Sequence, residues 1–197
     1  MRFSPPTTMM DFFRKSEGTW FTQRTVHHFD AVADESGESN LIVRVLGAND
    51  PLVLQVCEAQ RIDPSRALGG AAFTWQDNLE TDDPGPNRAA ILVDLPTDAS
   101  CRRGRLLRNQ GYVENIPVAS RYAFAPDGVL TIDTEYVNNQ GQERCWFISD
   151  HFRIRVSTVR LMGGVNLMTY CSERRCVLPD SLEAMRSRHA AEVSAPR

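Results

Sequence analysis

Glu143-Arg144-Cys145-Trp146-Phe147-Ile148 and Phe152-Arg153-Ile154-Arg155-Val156-Ser157-Thr158-Val159-Arg160 are joined by a short Ser149-Asp150-His151 turn. After a Gly163-Gly164 turn comes Leu167-Met168-Thr169-Tyr170-Cys171-Ser172-Glu173-Arg174-Arg175. The three segments read as consecutive antiparallel strands. Successive side chains of a strand point to opposite faces, so Phe152, Ile154 and Val156 share one face and Arg153, Arg155 and Ser157 the other. Two guanidinium groups two residues apart lie about 7 Å from each other. Each is a rigid fork matched to a carboxylate or phosphate, so together they can receive a ligand with two anionic arms. A solvated outer face of an antiparallel sheet gives the same pattern, and this segment alone leaves both readings open.

Register links Glu173 to that question. With a two-residue Gly163-Gly164 turn, Glu173 falls on the face opposite Arg155; with a three-residue, bulged loop it lies beside Arg155. The second is expected, because an unpaired carboxylate on the apolar Phe152/Ile154/Val156 face costs several kcal/mol.

Outward from this run the chain keeps the same period. Trp20–Asp30 and Ser39–Leu46 read as strands around the polar turn 34–38. Ala71–Gln76 and Ala89–Leu95 follow, around a polar loop at 82–87. Then come Arg102–Arg108, Val118–Phe124 and Val129–Val137, the last two joined by the hairpin signal Asp127-Gly128. Helix is expected only early. Residues 7–18 form a short N-terminal helix with Thr8 as N-cap and Met9, Phe12, Phe13 and Ser16 on one side. About two turns are too short to stand alone, so this face must dock, and a plug over one barrel end meets that need. A second short helix opens at Asn49-Asp50-Pro51, presents Leu52, Val53, Val56 and Cys57, and ends at Asp63-Pro64. About ten neighbouring antiparallel strands favour an all-β, closed up-and-down barrel, which leaves no exposed edge. One domain is expected over residues 8–177, followed by a polar, flexible tail at 178–197.

The 197 residues carry a net charge of -3, so no overall basic field points to nucleic acid or an anionic membrane surface. No apolar run is long enough for a membrane helix, and residues 1–6 lack the apolar stretch of a signal peptide. Five cysteines, odd in number and without a CxxC pair, fit reduced thiols and a cytoplasmic protein. His27 and His28 point to opposite faces of a strand and cannot chelate one metal, and no cysteine cluster offers an alternative, so no metal site is expected. Nor does the chain contain a glycine-rich phosphate loop or a GxSxG elbow. Phe73, Trp75, Trp146, Phe147 and Tyr170 are candidates to line a cavity for a flat apolar ligand, and equally to fill a core.

Several of these segments, in order, resemble the S-type phycobiliprotein lyases, the CpcS/CpeS family. They are Ser16–His28, Glu35–Ser39, Gly104–Glu114, Glu143–Phe147 with Phe152–Ser157, and Cys171–Arg175. Gly18-Thr19-Trp20 is also similar to the lipocalin GxW signature. The resemblance implies a lipocalin-like barrel that binds a linear tetrapyrrole (a bilin, phycoerythrobilin or phycocyanobilin). It implies attachment by a thioether bond to a cysteine of a phycobiliprotein subunit, commonly the β-subunit, with no metal or nucleotide cofactor.

On that reading Arg153 and Arg155 meet the two propionates, Ser157 adds a polar contact, and Phe73, Trp75 and Trp146 wall the rings. Glu143 or Glu173 hydrogen-bonds the pyrrole N–H groups and favours a protonated, more electrophilic chromophore, and His27 supports the site. The catalytic candidates are therefore Glu143, Glu173 and Arg153, while the nucleophilic cysteine belongs to the acceptor protein. A homodimer is a further expectation from the resemblance. Two other readings stand beside it: a lipocalin-like carrier of a bilin or fatty acid, and a non-catalytic partner of a heterodimeric lyase.

Overall fold

The computed structural model describes residues 3–29, 34–76, 89–111, 116–161 and 164–177. The polar loop expected at 82–87, the tail from 178 and Gly163 of the last turn lie outside the described residues. In chain order the elements are α1 (Met9–Ser16), β1 (Gly18–His28), β2 (Glu35–Gly47), α2 (Pro51–Ala59), a 3-10 turn (Pro64–Arg66) and β3 (Gly69–Gln76). Then follow β4 (Ala89–Pro96), β5 (Arg103–Arg108), β6 (Val118–Phe124), β7 (Leu130–Glu135), β8 (Gln140–Ser149), β9 (Phe152–Leu161) and β10 (Gly164–Arg175). Every strand pairs antiparallel with the next and β10 returns to β1, so the expected up-and-down barrel closes with ten strands.

Helix α1 plugs one end. Thr8 caps it, its hydroxyl accepting from the Asp11 amide at 3.2 Å, and Met9, Met10, Phe12, Phe13 and Ser16 are buried. Burial of the four large apolar side chains contributes roughly 6–12 kcal/mol as an upper bound, far beyond what two isolated turns supply. Its last carbonyls, which lack intrahelical partners, are taken up from the barrel. Trp20 Nε1 donates to Ser16 O at 2.7 Å, and the Arg175 guanidinium donates to Lys15 O and Glu17 O. The barrel must approach closely here. Gly69 has φ +138°, and a Cβ there would lie 2.7 Å from Leu46 O and 2.8 Å from Met10 Cε.

Helix α2 lies outside the barrel. Asp50 caps it and Pro51 opens it, as expected, but it ends at Ala59; Asp63-Pro64 instead begins the separate 3-10 turn. Val53, Val56 and Cys57 pack on Leu46, Val93, Leu95 and Leu107, so β4 is buried on both faces and reads as a nearly continuous apolar run.

Two boundaries differ instructively. Residues 35–38, expected in a turn, extend β2, with Gln23 paired to Glu38 and Val26 to Glu35. Polar residues are tolerated in a ladder there because the inward side, with Glu35 and Ser39, lines a cavity rather than the core. In the last hairpin Gly164 pairs with Leu161, and the register shifts between Val165 and Leu167. That bulge places Glu173 opposite Arg153 and on the face of Arg155. The expected face is obtained, with the extra residue inside β10.

Candidate active site

The interior is divided along the barrel axis. At the α1 end, Phe12, Phe13, Trp20, Leu41, Phe73 and Phe147 belong to a continuous core. Away from that end the inward positions become polar and enclose a cavity of about 650 Å³. Such a volume suits a medium-sized organic ligand. Trp75, Glu143 and Arg155 line both this cavity and a smaller space of about 50 Å³ against α1.

A charged cluster marks the boundary. Glu173 is fully buried; its Oε2 accepts from Arg153 Nε, and its Oε1 accepts from an Arg155 terminal nitrogen at 3.2 Å. Burial alone raises a carboxyl pKa, but the two adjacent guanidinium charges and their hydrogen bonds outweigh it and hold Glu173 below the usual range. Arg153, 2% exposed, also donates to Ser16 Oγ at 2.6 Å, and its guanidinium carbon sits 4.5 Å from the Trp20 ring centroid. Arg153 thus ties α1 to the barrel floor. Arg155 lies one step nearer the open end with 22% of its side chain exposed, in contact with Cys171 Sγ at 3.6 Å.

Above Glu173, the ladder sets Arg24, Cys171, Arg155 and Cys145 in one row. Arg24 lines the cavity, as do Ser157 and Glu143 in the next row. Glu143 accepts from the buried Arg108 at 2.6 Å, an ion pair held between β5 and β8. Trp75 lines the opposite wall and stacks on Phe73, ring centroids 6.3 Å apart and planes at 28°. Burial pushes the Cys145 thiol up to about 12 and also raises Cys171, so neither is ionised at neutral pH or a competent nucleophile there.

The structure therefore brings Glu143, Arg155, Ser157 and Trp75 to one cavity, with Phe73 beneath Trp75. Four expected placements change. Trp146 alternates with the inward Cys145 and Phe147 and pairs with Ile154, so it stands on the outer face. His27 is likewise outward, its Nδ1 2.7 Å from Asp34 Oδ2, while His28 lines the cavity. Arg153 reaches only the small space under α1, and Glu173 is enclosed by its two arginines. Sequence reasoning missed Arg24, Arg108 and His28. Parity with the inward Trp20 identifies Arg24 and His28; nothing local singles out Arg108.

The CpeS-like protein family profile matches residues 8–176. The chain belongs to the CpeS-like family. Chromophore lyase CpcS/CpeS 4 of Trichodesmium erythraeum (strain IMS101) is 62% identical over 191 residues, covering 97% of this chain and 99% of that one. Chromophore lyase CpcS/CpeS of Synechococcus sp. (strain WH8020) is 47% identical, covering 88% of this chain and 86% of that one. The S-type phycobiliprotein lyase CPES of Guillardia theta superimposes with a TM-score of 0.70 at 24% identity, covering 87% of this chain and 94% of that one, so the two share a fold. This CpeS-like chain holds Arg153, Arg155 and Glu173 in one ion-pair cluster at the cavity floor and pairs Glu143 with Arg108 on its wall.

Proposed function

We propose that the chain binds a linear tetrapyrrole, phycoerythrobilin or phycocyanobilin, in the barrel cavity and attaches it by a thioether bond to a cysteine of a phycobiliprotein subunit, the β-subunit by preference. The observation that carries this reading is Arg155, a partly exposed guanidinium on the cavity wall whose partner Glu173 is shared with Arg153. Arg24 and Arg155 both line the large cavity and lie in one inward row across β1, β10 and β9, two guanidinium groups that suit a ligand with two carboxylates. Trp75 offers a flat wall for the rings and Ser157 a polar contact beside Arg155.

The bond-forming step is addition of the acceptor S–H across a carbon–carbon double bond of the chromophore. An S–C bond forms, the π bond opens, and the proton finishes on the ligand. Nothing leaves and no electrons are exchanged, so the step calls for no metal, nucleotide or redox partner. The chain contributes position and proton placement. Glu143, oriented by Arg108, faces the pyrrole N–H groups and favours the protonated, electrophilic ring system. Glu173 acts through Arg155 by fixing its fork.

Co-expression with a bilin-producing pathway and a phycobiliprotein β-subunit tests the proposal. Fluorescent pigment that stays on the β-subunit through denaturation is expected. Pigment held by this chain alone identifies a carrier, and absence of pigment from both overturns the reading.

A further inference from the structure

Thr22 lies on β1 two residues beyond Trp20 and two before Arg24, all on the inward face, and lines the large cavity. The residue is 2% exposed, yet its Oγ1 has no hydrogen-bond partner among the described residues. Its neighbours across the ladders are Ser39 on β2 and Glu173 on β10. Both Glu173 oxygens are already engaged by Arg153 and Arg155. Packing alone would be met by valine, which has the same branched shape without the hydroxyl. A buried donor left without a partner is costly, and its retention at a cavity wall needs a reason.

The next inward row supplies one. Arg24, Cys171 and Arg155 follow one another across β1, β10 and β9, so two guanidinium-bearing positions flank the place directly along the strand from Thr22. A carboxylate held by these arginines would rest over Cys171, with its remaining lone pairs turned towards β1. We infer that Thr22 is a ligand-contact residue whose hydroxyl donates to a carboxylate arm of the chromophore, completing a three-sided cradle with Arg24 and Arg155. This rests on the chromophore reading of the cavity. It adds a neutral donor that fixes the carboxylate's orientation where the arginines supply its charge.

Titration of the full-length chain with phycocyanobilin and with phycoerythrobilin, for the wild type, Thr22→Val, Thr22→Ser and Arg155→Leu, tests it. Thr22→Val should bind at least about tenfold more weakly, as expected for loss of a hydrogen bond to a charged group. Its thermal unfolding midpoint should be no lower than that of the wild type, and Thr22→Ser should bind like the wild type. Thr22→Val binding at wild-type strength while Arg155→Leu fails overturns the Thr22 assignment and leaves the cavity reading standing. Unchanged binding in both variants overturns the two together. An earlier unfolding midpoint for Thr22→Val shows that the hydroxyl has a partner within the fold, and also overturns it.

Discussion

Glu173 and Arg155 meet at 3.2 Å at the boundary between the sealed core and the cavity, Glu173 fully buried and Arg155 with 22% of its side chain exposed. The carboxylate's other oxygen is committed to Arg153, which is itself sealed beneath α1. One acid therefore serves two arginines with different jobs: Arg153 closes the floor, and Arg155 presents a fork to whatever enters from the open end.

Replacing Arg153 by Met should act on stability first. It leaves Glu173 with one partner at the floor and frees Ser16 Oγ, so a loss of about 3–5 kcal/mol in chemical denaturation is expected. Adding Glu173→Gln should recover part of that loss, because the second change removes the uncompensated charge. Strictly additive losses would mean that the pair does not act as a unit.

Glu143→Gln separates binding from transfer. The amide keeps the shape and an acceptor towards Arg108 but cannot stabilise added positive charge on the chromophore. Bilin affinity should stay within a few-fold, while the single-turnover rate of attachment falls by about 10²-fold or more. Equal loss of affinity and rate would make Glu143 a binding residue only.

Trp75 and Trp146 should part company. Trp75→Ala removes a cavity wall, and bilin should bind about tenfold more weakly. Trp146→Ala alters the outer face, so bilin affinity should match the wild type. Fluorescence titration of the two variants decides between the inner and outer placements.

The floor also predicts how stability depends on pH. Asp94 is fully buried and accepts from Tyr122 OH at 2.7 Å; burial lifts its carboxyl to about 6. Unfolded, it titrates near 3.9. Between those values the folded chain keeps a proton that the unfolded chain has lost, so Asp94 lowers stability as pH rises from about 4 to about 6, by roughly 3 kcal/mol in all. Glu173 works in the opposite sense. Its depressed folded value contributes stability above the ordinary carboxylate pKa, lost as pH falls through the lower folded one. Denaturation curves of Asp94→Asn between pH 4 and 7 should lack the downward component that the wild type shows over that range.

The strand order was legible because each strand pairs with its neighbour in sequence and the polar/apolar period is two. The plug was legible because Met9, Phe12 and Phe13 share a face too short to stand alone. The inward parity of each strand was harder. On β8 the larger aromatic, Trp146, attracts attention, yet Cys145 and Phe147 are the inward residues. On β1, counting from the buried Trp20 selects His28 and Arg24 and rejects His27. The sealing of Arg153 had no local signal, since its partner Ser16 is 137 residues away in the chain. The same is true of Arg108 and Glu143, joined only when the barrel closes β5 towards β8.

The most direct measurement compares bilin dissociation constants for the free acid and its dimethyl ester, in the wild type and in Arg155→Leu. The wild type should favour the acid by about tenfold or more, and Arg155→Leu should lose most of that preference while remaining folded. Equal affinities for acid and ester in the wild type, or an acid preference that survives Arg155→Leu intact, would contradict the assignment of Arg155 to the chromophore's carboxylates.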